Sequence, residues 1–414
     1  MSPVRLDRRQ VLGAGIGGLL ATLAAPRLAT AAAATPGEAR LVLVQLRGAL
    51  DGLAAVPPVG DPDLARVRGA LALAPPGTPG GAFALDSLFA LHPALAFCAA
   101  RWGAGELLAA HALATPYRER SHFDGQAVLE NGGDAPSGSA SGWLNRVLQA
   151  LPEAGLRGGG AGDAPAQASG APLGLALGQN VPQVLRGPVP VATWAPSRLP
   201  EVDADLLSRL QDLYADDGAL SARLAQATGA GALVGEAGAA GSGERLRGIA
   251  ATAGRMLAAE DGPRIAVIDS SGWDTHAGEG AARGLLALRL RGLDQALEAL
   301  HGGLGAAWSR SVVVVVTEFG RTVAPNGTRG TDHGTGTVAL LLGGAVHGGR
   351  VLADWPGLRP AQLHEGRDLR PTASLHGLLK GVLRDHLGLG RRALDEVFPR
   401  SLAARPVDAL VRGG

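Results

Sequence analysis

Residues 311–322 read Ser311-Val-Val-Val-Val-Val-Thr317-Glu318-Phe319-Gly320-Arg321-Thr322. Five consecutive valines present apolar, β-branched side chains to both faces of an extended strand, so both faces must be covered. That is the pattern of a central strand in a parallel sheet flanked by helices. The run stops abruptly at Thr317, and a carboxylate and a guanidinium follow within four residues. In open α/β sheets, ligands bind beyond the carboxyl ends of the strands, which is where this polar burst falls. The same pattern recurs outward from it. Leu41–Leu46 runs into Arg47-Gly-Ala-Leu-Asp51-Gly52, and Ile265–Asp269 is followed by Gly272-Trp273-Asp274-Thr275-His276. Leu107–Leu113, Leu173–Gly178 and Val338–Gly343 read as further strands. Trp143–Leu151, Ala281–Leu304 and Ser374–Leu387 carry helical periodicity. Alternating strands and helices predict an α/β fold with a doubly wound, mostly parallel sheet flanked by helices. A single domain over 39–400 is expected, with a Gly/Ala/Pro-rich insertion near 152–172 and a helical elaboration at about 200–260.

Composition narrows the function. The 414-residue chain holds 38 Lys and Arg against 37 Asp and Glu, so no basic patch points to nucleic acid. Its one cysteine, Cys98, permits neither an internal disulfide nor a cysteine-based metal site. Any metal must be held by His, Asp or Glu. The first 34 residues have the layout of an export signal: Arg5, Arg8 and Arg9, then the mildly apolar Val11–Ala25, then Ala-rich sequence. Arg8-Arg9-Gln-Val-Leu resembles a twin-arginine signal, which implies a periplasmic or secreted protein exported already folded. Val11–Ala25 is short for a membrane span, so no stable span is expected once the signal is removed. The segment carries four Arg against one Asp, and without it the formal charge of +1 becomes about −2. The basic character belongs to the address.

Five polar bursts carry the chemistry: Leu46–Gly52, Arg118–Asp124, Gly272–His276, Thr317–Thr322 and Gly330–Gly334. Each contains a carboxylate, and three contain His. Carboxylates gathered in one pocket repel one another unless a cation neutralises them. Asp, Glu and neutral imidazole suit zinc, manganese or magnesium. Ser121 is also a favoured helix N-cap, a role compatible with catalysis.

The stretches LVLVQLRGALDGL, TPYRERSHFDGQAVLENG, GWLNR, WDTHAG, VVVVVTEFGRT and GTDHGTGTVALLLGGAVHGGRV resemble the exported family known as domain of unknown function 1501. That family is similar at fold level to the alkaline phosphatase superfamily, which includes sulfatases. The resemblance implies a binuclear divalent-metal site and hydrolysis of phosphate or sulfate esters, small or polymer-borne, by a metal-activated nucleophile. By matching motif, Ser121 takes the nucleophile's place, and Asp51, Asp274, His276, Asp332 and His333 take metal positions. His347 matches a final His ligand. Glu318 stands where the superfamily places its Asp-His-Gly block, so either Glu318 or Asp332 is the ligand after the central strand. His122 is a leaving-group acid or a metal ligand, and Arg120 or Arg321 would bind ester oxygens. Cys98 lies outside any sulfatase-type modification motif, which disfavours a formylglycine nucleophile. The alternative is a non-catalytic exported protein of the same fold that pairs with another exported protein.

Overall fold

The computed structural model describes residues 38–137, 139–151, 172–196, scattered positions between 210 and 224, and 242–413, all within one unit, Ala33–Gly414. The expected export signal, nearly all of the insertion at 152–172 and most of the elaboration at 200–260 lie outside the described residues. In chain order the elements are β1 (Arg40–Arg47), α1 (Gly52–Ala55), α2 (Leu64–Arg68), β2 (Phe83–Ala84), β3 (Ala90–Leu91), α3 (Ala96–Gly103), β4 (Leu107–Ala114), α4 (His122–Asn131), α5 (Trp143–Ala150), β5 (Gly174–Leu177), β6 (Ala192–Trp194), α6 (Ser242–Ala258), β7 (Ile265–Ser271), α7 (Leu285–Leu304), β8 (Ser311–Thr317), β9 (Thr337–Leu342), β10 (Arg350–Leu352), β11 (Ala373–Ser374), α8 (Leu375–Leu387) and α9 (Arg391–Val397).

Nine strands form one sheet in the order β10-β4-β9-β8-β1-β7-β5-β6, with β11 continuing the edge beside β4; β2 and β3 make a separate hairpin. All pairings in the large sheet are parallel except those of β9, which runs against both β4 and β8. Alternate residues of each central strand enter opposite cores. Leu41, Leu43, Val312, Val314 and Val316 pack with α5, α8 and α9. Val42, Val44, Leu46, Val313 and Val315 pack with α3, α6 and α7. The period-two alternation of a strand thus feeds two apolar layers, and the continuous valine run serves both. The expected α/β, doubly wound architecture is what forms.

Because β1, β4, β7 and β8 are parallel, the segments that follow them all leave the sheet at one end. The loop into antiparallel β9 reaches that end too. Among the described residues no helix is long and apolar enough to cross a membrane.

Candidate metal centre

Four segments build the site. After β1, Gly48 (φ +119°) approaches the loop after β7 so closely that a Cβ there would lie 2.6 Å from the backbone nitrogen of Asp274. After β4, the chain turns at Arg120, which holds φ +60° despite its side chain, and enters α4 at His122. After β8, Phe319–Thr322 runs antiparallel to Asp332–Thr335. The backbone bonds are Thr322 N to Asp332 O, Gly334 N to Gly320 O and Gly320 N to Thr335 O, 2.8–3.0 Å long. That folded-back pair brings Glu318 and His333 to one place although fourteen residues separate Glu318 from Asp332.

The centre is Asp274, surrounded by three imidazoles. His276 Nε2 lies 3.0 Å from Asp274 Oδ1, His333 Nε2 3.3 Å from the same oxygen, and His122 Nε2 3.4 Å from Oδ2. His276 Nε2 and His333 Nε2 are 3.0 Å apart. Ligand atoms of His122, Asp274 and His333 all fall within 4.8 Å of one another.

Each ring's other nitrogen faces an acceptor. His333 Nδ1 is 2.9 Å from the carbonyl of Arg120, and His276 Nδ1 is 3.2 Å from Asp332 Oδ1. His122 Nδ1 is 2.8 Å from Glu318 Oε1. A carbonyl can only accept, and these carboxylate oxygens act as acceptors here, so the Nδ1 atoms carry the protons. The Nε2 lone pairs of neutral rings then point at one another and at Asp274. Such an arrangement demands a cation between them, a metal ion or an extra proton on one ring. His122 Nε2 is buried and makes no hydrogen bond. An orphaned ring nitrogen of that kind, with its partner nitrogen bound to a carboxylate, is how metal-ligating histidines are oriented.

Electrostatics follow the same geometry. The hydrogen bond to Glu318 raises the His122 pKa, while burial lowers that of His333. Burial works to raise Asp274, but the hydrogen bond and charge of Arg321, with His276 and His122, hold it below the usual carboxylate range. Asp332 is kept low chiefly by its hydrogen bond from Asn326.

Asp274, His276, His333 and His122 therefore come together. Glu318 and Asp332, the two alternatives for the ligand after the central strand, each face the Nδ1 of one imidazole, that of His122 and that of His276, and neither is among the atoms of His122, Asp274 and His333 that gather together. Arg321 is fully buried, and its nitrogens go to the Thr331 hydroxyl, the Thr331 carbonyl and Asp274. It orients Asp274 and is not presented to an ester. Asp51 departs from its expected place as a metal ligand: one oxygen accepts from Ala54 N at 3.1 Å and the other is paired with the buried guanidinium of Arg68. His347 is also absent from the cluster. Antiparallel β9 delivers it to the opposite end of the sheet, where its N–H bonds Leu410 O and its neighbour Gly348 bonds Gly105 O. Ser121 is the N-cap of α4, in extended backbone, and its side chain makes no capping bond. Sequence reading missed Arg68, which lies in α2 and not after a strand, and Glu279, a buried carboxylate 3.8 Å from Arg68 that sits three residues past His276 in the loop after β7.

Fold and site together define an α/β protein with an imidazole- and carboxylate-lined centre at the carboxyl ends of its parallel strands. The family model described as "Protein of unknown function (DUF1501)" matches residues 104–398, and the chain belongs to that family. Among solved structures it is similar to a phosphonate monoester hydrolase of Agrobacterium radiobacter at 12% identity and a TM-score of 0.33, covering 85% of this chain and 74% of that one. No curated protein matches.

Proposed function

We propose that the protein is an exported metal-dependent hydrolase of phosphate or sulfate esters, with one divalent ion held by His122, His276, His333 and Asp274 and Ser121 as nucleophile. The observation that carries this reading is the facing of the imidazole lone pairs across Asp274, with every Nδ1 committed elsewhere. Three nitrogens and a carboxylate suit zinc or manganese better than magnesium, which prefers oxygen ligands. The second ion implied by the family resemblance has no counterpart in this reading, because the Arg68 guanidinium already neutralises Asp51.

When bound, the ion supplies Lewis-acid stabilisation of an anionic ester oxygen. The remaining work falls to the chain. Ser121 precedes the ligand His122 directly, and its hydroxyl is not spent on capping α4. The first-turn amides of that ten-residue helix favour an anionic group beside Ser121. With one nitrogen on Glu318 and the other toward the ion, His122 acts as a ligand and not as the leaving-group acid. Arg120, held in left-handed backbone, fixes the carbonyl that orients His333.

The test is hydrolysis of a panel of aryl phosphate and sulfate monoesters by zinc- or manganese-reconstituted protein, wild type against Ser121→Ala. The reading predicts a loss of more than about a thousandfold in the variant, with metal content unchanged. Equal turnover in Ser121→Ala would remove the nucleophile, and no turnover of any ester by metal-loaded wild type would remove the hydrolase.

A further inference from the structure

Helix α4 carries His122, Gln126 and Glu130 at successive four-residue steps, so all three lie along one face. Opposite that face stands Arg47, the last residue of β1. Its guanidinium can only donate. Nη1 lies 3.0 Å from Gln126 Oε1 and 2.7 Å from Glu130 Oε1, and Nη2 lies 3.0 Å from Asp269 Oδ2. Three acceptors on two elements, α4 and β7, therefore hold Arg47 in place. The carbonyl oxygen of Gln126 must turn toward it, and the amide nitrogen of Gln126 must turn the other way, where it meets Glu318 Oε1 at 3.0 Å. The same oxygen accepts the N–H of Gly48 at 2.9 Å. With two obligate donors already on Oε1, this oxygen is the acceptor of the group. His122 Nδ1, 2.8 Å away, is accordingly a donor. In the neutral ring the remaining nitrogen then keeps its lone pair; it is buried without a hydrogen-bond partner and lies 3.4 Å from Asp274 Oδ2.

We propose that Gln126 and Arg47 are positioning residues: Arg47 fixes the direction of the Gln126 amide, and the amide, acting through Glu318, sets the tautomer of His122 so that Nε2 is free to take a divalent metal. This rests on the proposed metal centre and deepens it. Gln126 touches neither the ion nor the substrate. What it contributes is a direction, which an apolar side chain of similar size does not supply.

The test uses the full chain, metal-free and labelled with 15N-histidine. Two-bond 1H–15N correlation spectra report the His122 tautomer, and zinc affinity is measured by competition with a chromophoric chelator. Wild type, Gln126→Met and Arg47→Met are compared. The expected result is the Nδ1–H tautomer in wild type, a mixture of tautomers in both variants, and zinc binding about tenfold weaker in each. An Nε2–H tautomer in metal-free wild type overturns the proposal. So do variants that keep both the wild-type tautomer and the wild-type affinity. Should neither variant fold, the wild-type tautomer alone decides. A wild type that binds no zinc, yet shows a tautomer that Gln126→Met disrupts, overturns the metal centre and upholds the relay.

Discussion

Arg68 is fully buried between two carboxylates. It pairs with Asp51 and also donates to the carbonyls of Thr322 and Val323, while Glu279 lies 3.8 Å away. One guanidinium thus serves two buried acids. Burial and the Asp51 charge raise Glu279, whereas Arg68 holds Asp51 low against the effect of its own burial. Glu279 Oε2 in turn accepts from the hydroxyls of Thr275 and Thr331, and Thr331 accepts from Arg321, which grips Asp274. Removing the cation leaves an acid stranded in apolar surroundings. Arg68→Met should therefore cost about 3–5 kcal/mol in chemical denaturation, where an exposed arginine would cost almost nothing. A change below about 1 kcal/mol would show that Arg68 is not the counter-charge described. Sequence offered no sign of this, because Asp51 before Gly52 looks the same whether its cation is a metal ion or a side chain seventeen residues on.

The elements were legible wherever burial writes itself into composition. β1, β4, β5, β7, β8 and β9 are largely apolar runs, interrupted by Gln45 in β1 and His111 in β4, because both faces are covered over most of their length, and the runs are plain in the chain. Edge strands β6, β10 and β11 span two or three half-covered residues and leave no such mark. Direction is equally silent: an apolar run has the same composition pointing either way. That is why His347, which follows β9, was expected at the site and lies at the other end. The loops were legible as polar bursts, but each residue's role was not. His122 and Glu318 are 196 positions apart, and only the fold makes one the support of the other. At this scale Gly48 ties two of the site's loops together. With φ +119° and a would-be Cβ 2.6 Å from Asp274 N, Gly48→Ala must shift one loop against the other. A stability loss of about 1–3 kcal/mol in urea unfolding is expected, accompanied by weaker zinc binding. Unchanged values for both would mean the two loops are not in the contact described.

Across the whole molecule, two apolar layers enclose the sheet and enclose several histidines with it. Burial lowers His111, His376 and His386 to about 4 each. His111 and His386 sit neutral on the carbonyls of Val56 and Arg40. In the unfolded chain such rings take up protons near pH 6.5, while the folded protein refuses them until about pH 4. The unfolded state binds more protons in that window, so stability is full above pH 6.5 and falls as pH drops toward 4. Denaturant midpoints should decline steeply between pH 7 and pH 4.5, and a flat profile would contradict the buried neutral rings. On the proposed reading, this scaffolding holds His122, Asp274, His276 and His333 at one point for a single ion. The most direct test of that claim is metal content: equilibrium dialysis of the purified protein against zinc, followed by elemental analysis, for wild type and His333→Ala. The account predicts one tightly held equivalent per chain in wild type and its loss in the variant. No stoichiometric zinc, or the same content in both proteins, would contradict it.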